Sequence, residues 1–145
     1  MTRQRNTLVI CMAAAGMLVS LYLFWSKITS QFYCPIGDCS VVNNSRYAYI
    51  GPFPVSLMGI SYYCILILLT AASRRGEYAV KPVILRLHIW AGFGYSTYLT
   101  GVEWFVLQAV CMWCVISYVL MIGITVVSCL KRPLFFSFTE HEANR

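Results

Sequence analysis

The sequence predicts an all-α integral membrane protein: a four-transmembrane-helix bundle, both termini cytoplasmic, with an outer loop that carries a short surface helix. Three observations predict it. Only 11% of the 145 residues are charged and 59% are hydrophobic, against about 25% and 45–50% in soluble domains. Four apolar blocks are each long enough to cross a bilayer. The basic residues fall almost wholly on one side of those blocks. Too little charge is left to cover a water-facing surface, and disorder needs the opposite composition. A net charge of +6 does not indicate nucleic acid, because Lys and Arg are scattered in twos and threes between apolar blocks. One domain, residues 1–145, holds everything, with no internal repeat or low-complexity tract.

The first block runs from Leu8 to Ser26. Nineteen helical residues reach about 28 Å, close to the roughly 30 Å hydrocarbon core. Arg3 and Arg5 precede it as in a signal peptide. The apolar stretch is longer than a signal core, however, and Phe24-Trp25-Ser26 makes a poor cleavage site, so it reads as a retained span. Residues 27–54 form the outer loop, in which Val41–Tyr47 is expected to be a short helix on the outer surface. The other blocks are Val55–Ser73, Val83–Leu107 and Ala109–Leu130, the last two joined by a very short turn around Gln108. Blocks this long fit helices, which satisfy their own backbone groups in lipid, far better than barrel strands. Nine of the eleven basic residues, Arg3, Arg5, Arg74, Arg75, Lys81, Arg86, Lys131, Arg132 and Arg145, share one side, leaving Lys27 and Arg46 on the other. The positive-inside rule puts the nine in the cytoplasm.

Seven cysteines are the informative residues. Cys34 and Cys39 lie in the outer loop. Cys111 and Cys114 form Cys-Met-Trp-Cys at the outer start of span four. Both pairs therefore meet on the oxidising side, where disulfides persist. Cys11, Cys64 and Cys129 lie within spans and read as inert small apolar residues. A Cys-x-x-Cys at a helix N-terminus sits at the positive end of the dipole, which stabilises the nucleophilic thiolate. Positions i and i+3 share a face, so the two sulfurs can bridge. Tyr118 continues that face and could offer its phenol to a carbonyl ligand.

Two plainer readings compete. One is a static staple, which a loop as small as Cys111–Cys114 hardly justifies by entropy but Cys34–Cys39 alone could be. The other is a four-thiolate zinc site, disfavoured because two membrane crossings separate the pairs and the outer compartment oxidises thiols. No metal is expected.

Several stretches together resemble the vitamin K epoxide reductase family in its short bacterial form. They are Cys39-Ser-Val-Val-Asn-Asn-Ser45-Arg-Tyr, Gly51-Pro-Phe-Pro-Val-Ser-Leu-Met-Gly59, Tyr98-Leu-Thr-Gly-Val-Glu-Trp-Phe-Val106, and Cys111-Met-Trp-Cys114 with Tyr118. The resemblance covers nearly the whole transmembrane portion. It implies a four-helix bundle around a membrane quinone, ubiquinone or menaquinone. It further implies that Cys34 and Cys39 take electrons from a thioredoxin-like, DsbA-like periplasmic partner and pass them to Cys111 and Cys114. In that scheme Cys39 attacks Cys111, Cys114 lies nearest the quinone, Ser45 lies beside the quinone site and Tyr118 bonds a quinone carbonyl. Vertebrate members hold a second quinone contact with an asparagine before span two; alignment on Gly59 puts Val55 there, which disfavours vitamin K epoxide itself. Many bacterial members carry a fused thioredoxin-like domain, whereas here the expected partner is a separate protein. The implied setting is the bacterial inner membrane, with lipid around the bundle and the site facing the periplasm.

Among the remaining polar residues, Glu103 is the candidate proton relay, since an ionisable group near the membrane is a functional candidate by default. His88 is expected to pack at the cytoplasmic interface beside a snorkelling Arg86. Asp38, next to Cys39, is expected to disfavour that thiolate, and Arg46 either favours a thiolate or is a solvated charge. Two rival functions stand beside a quinone-dependent thiol oxidoreductase that supports disulfide formation in secreted proteins. A DsbB-type oxidase would carry its Cys-x-x-Cys in the first outer loop rather than last. A non-catalytic membrane subunit would use its disulfides only as braces.

Overall fold

Five helices and one small hairpin make up the described residues, 2–75 and 82–129, of this computed structural model. The long helices are α1 (Thr2–Thr29), α3 (Val55–Arg75), α4 (Pro82–Val102) and α5 (Met112–Cys129). Between α1 and α3 stand a short helix, α2 (Cys39–Asn44), a 3-10 turn (Arg46–Ala48) and a hairpin of β1 (Tyr49–Ile50) and β2 (Phe53–Pro54). Each predicted apolar block lies on a long helix, and the ends differ for local reasons. The polar flanks of block one simply continue α1 in both directions. It stops where Ser30 turns left-handed (φ 54°) and the Gln31 amide bonds the Ser26 carbonyl at 3.1 Å, closing the helix in a Schellman arrangement. Pro82 opens α4, at the first helical position where a missing N–H costs nothing. At its far end α4 widens into one π-helical turn, Glu103–Leu107, and Gln108 (φ 49°) stops it.

Two expectations need correction. Helix α5 starts at Met112, not Ala109, because residues 109–111 run extended beside the loop. The short helix covers Cys39–Asn44 rather than 41–47, and it does not lie on the surface. Asp38 caps it, accepting from the Val41 amide at 3.4 Å, and Ser45 in extended conformation ends it. Its apolar face turns into the bundle, burying Cys39, Val42 and Asn43.

Helix α1 packs on α3 and α5, and α4 on α5 and α3, so the four close a ring in the order α1, α3, α4, α5. The core at one end draws on every member: Val9 and Ala13, Tyr63 and Leu66, Ile89, Met121 and Ile124. Gly16 lets the Tyr63 ring lie against α1, since a Cβ there would overlap the ring. At the other end α2 closes the ring, packing Cys39 and Val42 against Leu23 and Cys111. Three helices, α1, α3 and α5, are long and apolar enough to cross a membrane. Helix α4 has 21 residues, but Arg86, His88 and five hydroxyl-bearing residues make it less apolar. Of the basic residues that set the expected orientation, Lys81, Lys131, Arg132 and Arg145 lie outside the described residues.

Candidate functional site

Both cysteine pairs meet at the α2 end of the ring, in different redox states. Cys34 and Cys39 form a disulfide with Cα atoms 5.9 Å apart, while Cys111 and Cys114 are free thiols. Cys39 and Cys111 are 1% and 0% exposed and belong to one buried cluster that also takes in Cys34 and Cys114. The loop is pinned there by backbone. Gly37 pairs antiparallel with Cys111, and the Asp38 amide donates to the Val110 carbonyl at 3.0 Å. Gly37 has φ 87°, and a Cβ would strike that same carbonyl, so only glycine fits both the conformation and the approach. Side chains add a second hold: the Trp113 indole N–H donates to the Tyr33 carbonyl at 3.0 Å, and Tyr22 bonds Tyr33 from α1 while its ring lies 4.7 Å from that of Trp113.

Cys111 stands just before the first residue of α5 and caps it through sulfur. Its Sγ accepts the Cys114 amide at 3.4 Å, and the Asn43 amide group reaches it from α2 at 3.7 Å. Donors at a helix terminus are what a thiolate requires. Glu103, only 5% exposed, accepts the Cys111 amide on Oε2 at 3.1 Å. The π turn brings it there, and its own carbonyl takes the Gln108 and Ala109 amides.

Cys114 lines a half-open cavity of about 400 Å³ between the helices, with Glu103, Ser45, Tyr118 and Ser117 also on its wall. Its surface is almost wholly apolar. Tyr118 lies parallel to Phe93, and its hydroxyl is 3.4 Å from that of Thr97, which donates to the Phe93 carbonyl at 2.8 Å. Ser45 spends its hydroxyl proton on the Val42 carbonyl at 2.8 Å, which leaves its lone pairs to the cavity. The far wall holds His88, stacked on Tyr62 at 4.3 Å with reciprocal side-chain-to-carbonyl bonds. His88 thus packs against Tyr62 on the cavity wall. Ser56, also on the wall, has its hydroxyl buried with no partner among the described residues.

Four features escaped the sequence. Asn43, Trp113 and Tyr22 hold the two cysteine pairs together, and Lys27 reaches the Asn43 carbonyl at 2.7 Å while lying 3.7 Å over the Tyr49 ring. Asp38 is a helix cap, which its place ahead of a short apolar run could have revealed. Arg46 is exposed, and so are Cys11, Cys64 and Cys129. Among the described residues no three His, Cys, Asp or Glu side chains could share a metal ion.

The model of the vitamin K epoxide reductase family matches residues 7–129. This chain belongs to that family. Family membership makes it a thiol oxidoreductase of a membrane family, and the disulfide at Cys34–Cys39 is the expected type of group. The match runs from the first turns of α1 to the last residue of α5, so the whole ring, the α2 closure and both cysteine pairs lie inside it.

Proposed function

We propose that this member of the family oxidises a thioredoxin-like protein at the outer face of the bacterial inner membrane and delivers the electrons to a membrane quinone, supplying disulfides to secreted proteins. The observation that carries this reading is the joint burial of Cys39 and Cys111 beside a cavity that Cys114 lines, with one pair oxidised and the other reduced. Four spans with both termini cytoplasmic complete the proposal. It is supported by the exposed apolar coat of the ring (Leu18, Leu68, Leu87, Val119) and by Trp25, Trp104 and Phe105 near the α2 end, where an aromatic belt belongs.

The steps follow from exposure. Cys34 is the more accessible sulfur of the loop disulfide, so a partner thiolate attacks there and leaves Cys39 reduced. Cys39 then attacks Cys111 when the latter is disulfide-bonded to Cys114, releasing the Cys114 thiol at the cavity wall. The partner's second cysteine attacks the partner–Cys34 bond, which releases the oxidised partner and frees the Cys34 thiol. Cys34 then attacks Cys39 of the Cys39–Cys111 bond, which restores the loop disulfide and leaves Cys111 and Cys114 as thiols. A flat apolar ring suits the cavity by size and polarity, with the Tyr118 hydroxyl, Ser45 and Cys114 as the groups that would hold it; a quinone there supplies a two-electron acceptor. Each 30 mV of difference in potential favours the transfer by about 1.4 kcal/mol.

The test is anaerobic mixing of purified protein with a reduced thioredoxin-like protein and ubiquinone or menaquinone analogues, following quinone absorbance. Turnover is expected in the wild type and none in Cys111→Ala or Cys114→Ala. Unchanged turnover in both variants would end the proposal.

A further inference from the structure

Glu103 is placed for more than holding a backbone amide. Of the two acidic residues among those described, Asp38 is exposed and occupied in capping α2. Glu103 is buried on the cavity wall. One oxygen accepts the Cys111 amide at 3.1 Å, and Glu103 lines the same cavity as Cys114. It forms no ion pair with Lys or Arg among the described residues. A neutral glutamine carbonyl would accept the same amide without the cost of burying an ionisable group. The single π turn of α4 sets Glu103 at this point, and such turns gather at functional sites. The other titratable ring on the wall, His88, is stacked on Tyr62 at the opposite side with its Nε2 at the Tyr62 carbonyl.

We infer that Glu103 is the proton carrier for oxidation of the Cys111–Cys114 pair, taking the Cys114 proton as the disulfide closes and returning it through the cavity. The inference rests on the quinone-linked reading above and assigns that reading a further catalytic residue. The balance is simple. Two S–H bonds break, one S–S bond forms, and two electrons go to the quinone, which leaves as quinol. The Cys114 proton reaches one quinol oxygen by way of Glu103. The Cys111 proton is released to solvent when its thiolate forms, and solvent returns one to the second oxygen.

Glu103→Gln separates the roles, because glutamine keeps the acceptor for the Cys111 amide and cannot carry a proton. In a Cys34→Ser, Cys114→Ser background, Glu103→Gln should form the Cys39–Cys111 linked species as readily as its parent. In the otherwise native protein it should slow quinol formation by about 100-fold, within the usual range for loss of a general base. A second readout needs neither quinone nor variant. Redox-difference infrared spectra of the wild type, cycled by a soluble dithiol and its disulfide, should show a protonated-carboxyl band that appears and vanishes with the state of the pair. Native quinol formation in Glu103→Gln, loss of the Cys39–Cys111 species in that variant, or an invariant carboxyl band would each overturn the inference. A wild type that reduces no quinone would instead sink the proposed function, and the infrared cycle would still decide the role of Glu103. Should Glu103→Gln fail to fold, the wild-type spectra alone decide.

Discussion

Asn43 shows how much of this site depends on one side chain that no motif singles out. Its amide N–H₂ group donates to the Cys39 carbonyl at 3.0 Å and reaches Cys111 Sγ, tying α2 to the sulfur that the proposed relay attacks. Hydrogen bonds to a charged group are worth about 1.5–3 kcal/mol. Asn43→Asp removes the donors and sets a carboxylate against the sulfur. Alkylation of Cys111 in the reduced protein is therefore expected to slow by about tenfold or more, one factor of ten for each 1.4 kcal/mol; an unchanged rate would show that the bond does not tune the thiol. The two cysteine pairs were legible in the sequence through their spacing and their place at the same end of the apolar blocks. Asn43, Trp113 and Tyr22 were not, because their partners lie far along the chain and only the folded ring brings them together. Gly37 was equally silent, since its need for φ 87° and for close approach to Val110 is a tertiary fact.

Elements divide the same way. The four long helices could be read from apolar runs because their length and hydropathy are local properties, and the structure finds each block on a helix. The segment between α1 and α3 could not be read as well. Helix α2 has six residues, too few to persist by propensity, and it survives through the Asp38 cap, the Lys27 contact to its last turn and its buried face. Replacing Asp38 by Ala should cost α2 about 1 kcal/mol, while Asn, an equally good cap, should cost little. Amide hydrogen exchange over Cys39–Asn44 is the measurement, faster in Asp38→Ala and near native in Asp38→Asn. The hairpin was also unforeseen, although Gly51 (φ 61°) followed by Pro52 suits a tight two-residue turn of the kind hairpins prefer. The π turn left no mark in the sequence at all; it coincides with the contact of Glu103 and Cys111, which only the folded ring brings together.

For the whole molecule, the ring, the α2 closure and the cavity form one unit, and the proposed function would put thiol exchange and acceptor binding on opposite sides of Cys114. That separation can be probed. Ser96 lies on the cavity wall away from the loop, so Ser96→Phe should fill part of the space and raise the KM for quinone on the order of tenfold, equivalent to about 1.4 kcal/mol of lost binding. Formation of the Cys39–Cys111 linked species should stay at its native rate. Steady-state quinone titration with thiol trapping reads both, and a parallel loss of exchange would mean that the cavity and the thiol relay are not separable.

The unequal burial of the loop disulfide has a wider consequence. Cys34 is partly open to its surroundings while Cys39 and Cys111 are buried. The arrangement is an insulated wire with a single bare contact. Under the proposed relay any reductant, small or large, would reach the inner couple by way of Cys34, so the fit of a protein to that one terminal would set how fast it is oxidised.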